Sequence, residues 1–261
     1  MTSDNRQTSI DTGYEDQCLN PPASHPLYLH WLDLKEALVS VGSQEALRVL
    51  DYGCGSSPYQ GLWPKSEYIR ADYMPSPGVT HILEETGTVP EPDASFDMVL
   101  STQVMEHVRD PEIYLREVAR LLKPGGKFIC TTHGTFHDHG CPWDFQRWTL
   151  DGLCRDVERV GLKTERAAKL TAGPRALMTM LQCHGDHFRP AGGTLSKLLC
   201  GAFRKGFRSL REPLNRWAGR AFPSSAILER SDKPDSEYNH LSFYIGVMVV
   251  ASKPGASPAN A

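Results

Sequence analysis

Residues 49–60 read VLDYGCGSSPYQ, an apolar run that passes directly into two glycines and a short polar turn. The run suits a buried strand. Gly53 and Gly55 then open backbone dihedrals closed to other residues and leave main chain bare for a ligand to lie against. A dinucleotide would require a third glycine, as in G-x-G-x-x-G, with a pyrophosphate at the start of the next helix; here that position is Pro58. The departure weakens the reading as a nicotinamide oxidoreductase and leaves room for a nucleoside without phosphates. Asp72, in YIRADYM and about 20 residues past the turn, supports the nucleoside, because a carboxylate there accepts hydrogen bonds from both ribose hydroxyls. Two plainer readings stand beside these: Asp72 as a strand-end turn residue, and the glycines as a tight turn that holds nothing.

Outward from the turn, strand-like runs alternate with helical ones. Leu47–Asp51, Tyr68–Ala71, Val79–Leu83, Phe96–Ser101, residues 127–132 (KFICTT) and Leu162–Leu170 read as strands, and residues 241–253 (LSFYIGVMVVASK) as a last, long one. A helix is expected from Pro26 to a stop at Gly42, with Leu27, Trp31, Leu34, Leu38 and Val41 at helical spacing. A second covers Pro111–Leu122, capped by Asp110 and stopped by KPGG, and a third covers Leu150–Val160 and ends at Gly161. Parallel neighbours need a crossover of helical length, so the alternation predicts an α/β fold, a doubly wound seven-stranded mostly parallel sheet with a helical insertion before the last strand.

The expected organisation is a flexible N-terminal arm over 1–22, a main domain over 23–172 and 241–254, a helical insertion or lid over 173–240, and a flexible tail over 255–261. Within the insertion, residues 194–211 place Leu195, Leu198, Leu199, Phe203, Phe207 and Leu210 along one helical face. Lys197, Arg204, Lys205, Arg208 and Arg211 fall elsewhere on the helix, and Pro213 is expected to end it.

A chain of 261 residues suits one large domain or a domain with an insertion, and 40% hydrophobic with 23% charged residues excludes collagen-like, wholly disordered and membrane-spanning chains. The net charge of −3 exerts no overall pull on nucleic acid or anionic lipid. The seven cysteines form no C-x-x-C pair, which argues against a disulfide framework and a zinc ribbon, so most are expected to be buried thiols. The polar, acidic start MTSDNRQTSIDTGYEDQ is not a secretory signal, and the expected location is the cytoplasm.

Taken together, VLDYGCG, ADY, VPEPDASFDMVLSTQVMEHV and EVARLLKPGGKFICTTH, in this order, resemble the class I S-adenosylmethionine-dependent methyltransferases, in particular the methyltransferase-11-like group, over about residues 47–170. The resemblance implies a Rossmann-like fold and S-adenosylmethionine as cofactor. It implies that Asp51, Gly53 and Gly55 line the methionine part and Asp72 the ribose, with Cys54 and Tyr73 also among the cofactor-binding residues. Glu85 matches an adenine-contacting acid, and Ser101, Thr102 and Gln103 flank the cofactor near its methyl group. Ser56-Ser57-Pro58 departs from the usual small-residue continuation of the turn.

A sulfonium is already a strong electrophile, so such a protein mainly aligns an acceptor and keeps water out, with a base for an oxygen or nitrogen of high pKa. The segment THGTFHDHGCPWDFQRWT, residues 132–149, follows the fifth strand, where acceptor-facing residues are expected, and it is dense in titratable and aromatic groups. His133 is the leading base candidate, with His137 and Arg147 as further catalytic candidates. The segment also resembles W/P-D-(Y/F)-x-R-(F/W)-T in methyltransferase-11-like proteins, where an aspartate and an arginine tie the loop down, so Asp144 and Arg147 divide between scaffold and substrate contact. His137, His139 and Cys141 have ligand chemistry for zinc or iron but no dedicated metal spacing, and the His residues of CHGDHF (183–188) share the ambiguity; no metal is assigned. His107, by the resemblance, has an architectural role beside the cofactor pocket.

The basic amphipathic helix of 194–211 either packs as a lid over the acceptor or makes peripheral contact with anionic membrane lipid. Between 191 and 222, seven Lys and Arg residues face the single acid Glu212, which favours an anionic or lipid-linked acceptor. No RNA-binding module interleaves that charge, which argues against nucleic acid as partner. The expected activity is methyl transfer to an oxygen or nitrogen of a small-molecule, saccharide or lipid-linked acceptor, the alternative being a non-catalytic, cofactor-binding regulatory protein with the same fold.

Overall fold

A computed structural model describes residues 17–84, 86–140, 142–185 and 193–255. Glu85 and Cys141 lie outside the described residues. The strands are β1 (Arg48–Tyr52), β2 (Glu67–Asp72), β3 (His81–Ile82), β4 (Phe96–Thr102), β5 (Leu122–His133), β6 (Lys163–Ala172), β7 (Ile227–Glu229) and β8 (Tyr244–Ser252). The helices are α1 (Tyr28–Val39), α2 (Pro111–Leu121), α3 (Leu150–Arg159), α4 (Gly173–His184), α5 (Thr194–Ala221) and the short α6 (Glu237–His240). Among the described residues, no helix is long and apolar enough to cross a membrane.

The strands form one sheet in the order β3-β2-β1-β4-β5-β8-β6-β7. Pairing from β3 through to β5 is parallel, whereas β8 runs antiparallel between β5 and β6. The sheet has eight strands, not the expected seven. The addition is β7, whose Ile227, Leu228 and Glu229 pair antiparallel with Leu170, Lys169 and Ala168. Three residues are too few to display a strand period, but they cover an edge of β6 that would otherwise leave backbone donors and acceptors unpaired.

Capping chemistry sets the helix ends as read from the sequence. The Asp110 carboxylate accepts from the Ile113 amide at 3.2 Å with Pro111 in the first turn, and Thr149 does the same for Gly152 at 3.1 Å. Gly161, just past α3, has φ +85°, a conformation that favours glycine. Side chains leave the central strands toward both faces, so the core has two layers. Leu50, Val99, Phe128 and Val247 meet Leu115 and Val118 of α2 and Leu153 of α3 on one side. Val49, Met98, Ile129 and Met248 meet Leu34 and Leu38 of α1, with Trp63, on the other. Burial on both faces explains why these strands read as nearly continuous apolar runs. Cys18, within the stretch expected as an arm, is buried in this second layer.

Pro213 does not end its helix. α5 runs through it to Ala221, although an interior proline removes a backbone donor and costs about 3 kcal/mol. Contacts on both sides of the proline hold the helix to the body: Arg211 Nε donates to Gln182 Oε1 at 3.1 Å, and Asn215 Nδ2 donates to the carbonyls of Ala23 and His25 at 2.8 and 3.0 Å. The face that packs shares only Phe207 with the expected apolar one. Phe207, Arg211, Asn215 and Ala218 are buried, whereas Leu195, Leu198, Leu199, Phe203 and Leu210 are exposed. α4 is clamped to α1 by a buried ion pair between Arg175 and Asp33.

Candidate cofactor and acceptor site

The turn after β1 is built by its side chains as much as by its glycines. Asp51 is buried, and its Oδ2 accepts from Ser57 Oγ at 2.7 Å and from the Tyr68 hydroxyl at 2.9 Å. Burial pushes its carboxyl up to about 7, against the lowering effect of those two bonds. Ser57, with φ +56°, reaches Asp51 only by entering the left-handed region. Gly53 has φ +81°, and a Cβ there would lie 2.6 Å from both methyl groups of Val104. Gly55, at φ +51°, opens onto space with nothing within 4 Å of a Cβ position. Cys54 between them is buried.

Asp72, at the end of β2, turns its carboxylate back to this loop. Its Oδ2 accepts the Gly55 amide and its Oδ1 the Met74 amide, each at 2.8 Å. Each oxygen retains a second lone pair for a ligand hydroxyl. Tyr73 beside it is 52% exposed. From β4, Thr102 Oγ1 is buried without a protein partner, as is Ser56 Oγ in the turn. Gln103 follows at φ +55°, its Nε2 donating to Thr131 Oγ1 at 3.2 Å. Ser101 departs from expectation: it is fully buried and accepts the Tyr114 hydroxyl at 2.8 Å, which makes it part of the layer under α2 instead of the cleft. The open glycine, the two orphaned hydroxyls and the strand-end carboxylate fit S-adenosylmethionine, with Asp72 for the ribose.

The loop after β5 is tied down by one ion pair. Arg147 Nη1 and Nη2 grip the two oxygens of Asp144 at 2.5 and 2.6 Å. Its remaining donors go to the carbonyls of Phe136, His137 and Gln146. Arg147 therefore has its donors committed within the loop. The pairing holds the Asp144 carboxyl down at about 2.

That scaffold gathers histidines around a carboxylate the sequence reading passed over. Glu106, in the short helical turn Met105–His107, is completely buried. His133 Nε2 lies 3.2 Å from Glu106 Oε1, while Thr132 Oγ1 donates to Glu106 Oε2 at 2.7 Å. His133 is buried and stacks on Phe136 with ring centroids 4.1 Å apart. Burial, aided by nearby His30 and His139, holds its imidazole well below the usual histidine range, and burial raises the Glu106 carboxyl. The His139 ring meets His133 edge-on at 4.9 Å, and His107 meets His139 likewise. His137 is half-buried and further out, 5.3 Å from the His184 ring. The signal for Glu106 lay at the end of VPEPDASFDMVLSTQVMEHV, one residue before His107.

Residues 50–130 match the family model described as a methyltransferase domain. The ubiquinone biosynthesis O-methyltransferase of Cereibacter sphaeroides is 41% identical over 105 residues, 34% of this chain and 42% of the relative. The chain thus spans under half the length of that curated relative. An uncharacterized methyltransferase of Mycobacterium tuberculosis is 26% identical over 186 residues, 66% of this chain and 91% of its own. Among solved structures, phosphoethanolamine N-methyltransferase 2 of Haemonchus contortus shares the fold, with a TM-score of 0.51 at 14% identity over 92% of this chain and 59% of that one. The stretch matched by the family model, residues 50–130, carries the turn after β1 and the strand-end carboxylate, and that methyltransferase domain family uses S-adenosylmethionine as its cofactor.

Proposed function

We propose that the chain transfers a methyl group from S-adenosylmethionine to an oxygen or nitrogen of a small-molecule, saccharide or lipid-linked acceptor. One observation carries the reading: His133, a buried neutral imidazole, ends the strand beside β4, whose Thr102 pairs with Thr131 two residues before it. The proposed base and Thr102 therefore lie at the same, C-terminal end of the central strands β4 and β5. When bound, S-adenosylmethionine would supply an electrophilic methyl on its sulfonium, with the neutral thioether as leaving group. Gly53, Gly55 and Asp72 would hold it, and His133, with Glu106 beside Nε2 and no protein partner on Nδ1, would take the proton of the acceptor. Arg147 and Asp144 position the loop. The O-methyltransferase named among the relatives favours oxygen as the acceptor atom.

The test follows labelled methyl from the cofactor into a panel of phenolic, sugar and prenylated acceptors. The chain is expected to label at least one class, and Asp72→Ala to weaken cofactor binding by about 10- to 100-fold, the loss of hydrogen bonds to a charged group at about 1.5–3 kcal/mol. Cofactor binding with no label in any class would favour the non-catalytic regulatory alternative.

A specific observation supports the lipid-linked class. α5 exposes Leu195, Leu198, Leu199, Phe203, Leu210 and Trp217, each at least half exposed, alongside Lys197, Arg204, Lys205, Arg208, Arg216 and Arg220. Such a face suits the boundary between anionic headgroups and acyl chains. The chain is expected to sediment with phosphatidylglycerol vesicles and not with phosphatidylcholine alone, and Phe203→Glu to weaken that binding about tenfold. Equal sedimentation of the variant would remove the helix from the reading.

A further inference from the structure

We propose that Glu106, His133 and His139 form a binding site for a divalent transition-metal ion of the zinc or manganese class, with His107 as a fourth donor. Each of the three residues offers a ligand atom, and these atoms lie within 4.8 Å of one another. The site is inside the protein: Glu106 is 0% and His133 5% exposed. Glu106 Oε1 has no hydrogen-bond partner despite full burial, a costly state for a carboxylate oxygen. A cation among these atoms satisfies it.

The surroundings orient His107 and Glu106 as metal sites require, while His133 Nδ1 and His139 Nδ1 make no hydrogen bond among the described residues. A ligating histidine usually gives its other ring nitrogen to a carbonyl or carboxylate. His107 Nδ1 lies 2.6 Å from the Trp143 carbonyl, which fixes the proton on that nitrogen and leaves Nε2 bare, 4.0 Å from Glu106 Oε1. His139 Nδ1 lies 3.5 Å from Asp144 Oδ2, a carboxylate itself gripped by Arg147. Thr132 Oγ1 holds the other oxygen of Glu106. A bare imidazole nitrogen facing a carboxylate oxygen is repulsive on its own and attractive through a cation. Imidazole and carboxylate together suit zinc, manganese or iron(II), whereas calcium takes six to eight oxygens.

This ligand set is not the His137, His139 and Cys141 group considered from the sequence; only His139 is common to both. The role of the ion rests on the methyl-transfer reading: bound here, it would hold an acceptor oxygen and lower its pKa so that the hydroxyl gives its proton to water before the methyl is transferred, with His133 serving as ligand and not as base. Its existence does not rest on that reading.

The experiment titrates cobalt(II), then zinc(II), into the chelator-treated full chain, read by visible absorption and calorimetry. Cobalt bands of four- or five-coordination at one ion per chain are expected. His139→Ala, on a partly exposed loop, should keep the fold and weaken the ion more than about 100-fold, and Thr132→Val, a positioning residue, by about 10-fold. His240→Ala, on an exposed helix end, should change nothing. Absent bands, or equal affinity in His139→Ala, overturn the site. Methyl transfer that survives chelation, together with absent bands, overturns the metal and leaves the methyl-transfer reading intact. Bands in a chain that transfers no methyl sustain the metal and count against that reading.

Discussion

Gly53→Ala is expected to abolish measurable binding of S-adenosylmethionine and to lower the stability of the fold by about 2–5 kcal/mol. Two independent costs add up. A side chain at φ +81° incurs about 1–2 kcal/mol of backbone strain, and a Cβ placed 2.6 Å from both Val104 methyls adds about 1–3 kcal/mol of overpacking. The turn cannot drift to relieve either cost, because the Gly53 amide donates to the Ala71 carbonyl at 2.8 Å and the following Asp72 carboxylate holds the Gly55 amide. Denaturant midpoints and calorimetric cofactor titration check both parts. Val104→Ala in the same chain should recover the overpacking but not the strain.

Gly55→Ala provides the contrast. Its φ of +51° is strained for alanine, yet a Cβ there meets no protein atom within 4 Å. The expected result is a stability loss of only about 1–2 kcal/mol, while cofactor affinity falls by at least tenfold, since the methyl would stand in the space assigned to the ligand. If Gly55→Ala bound the cofactor as well as the parent chain, the ligand would not rest on this turn.

His133→Ala is expected to lower methyl transfer by about 10²–10⁴-fold while cofactor affinity stays unchanged, the range for losing a positioned proton-transfer group. The reduction follows whether His133 takes the acceptor proton or holds a cation that acidifies the acceptor. Removing a buried ring stacked on Phe136 also costs stability, in the range of about 0.5–3 kcal/mol for a single substitution. His133→Gln therefore accompanies it, keeping much of the volume and a polar group. Both variants should bind cofactor normally and turn over slowly; full turnover in a folded His133→Ala chain ends the catalytic assignment. Arg147→Lys provides the comparison for a positioning residue. One point charge replaces a two-pronged grip on Asp144, so the acceptor KM should rise more than kcat falls.

Much of this architecture is local in origin. The cap at Asp110, the proline after it and the glycine at 161 are decisions of a few adjacent residues, and the helices begin and end accordingly. Strands buried on both faces announce themselves as apolar runs regardless of their partners. Gly53, Gly55 and Asp72 were equally legible, because a bare turn followed by a strand-end carboxylate is a pattern in sequence order. Ser101 was not: it follows the same strand as Thr102, but the alternation of side chains across a strand sends one to the Tyr114 hydroxyl and the other to the cleft. α5 misled for a related reason. Its apolar face is an accurate reading of a period, but a period does not name the neighbour, and the contacts of Arg211 with Gln182 and of Asn215 with Ala23 turned the other face inward.

By itself the sequence determined an alternating α/β chain, a glycine turn after β1 and a carboxylate at the end of β2. Only the tertiary structure decided that Glu106, His107, His133 and His139 converge, since they come from a helical turn after β4, the end of β5 and the loop beyond it. The physical reason is the sheet order. β4 and β5 lie side by side through parallel pairing, with α2 between them in sequence, so groups 27 residues apart, Glu106 and His133, meet at the C-terminal end of the two strands. A local pattern carries no record of such a meeting, because the energy that brings it about is the burial of Val99, Phe128 and their neighbours, not any attraction between the four residues that meet.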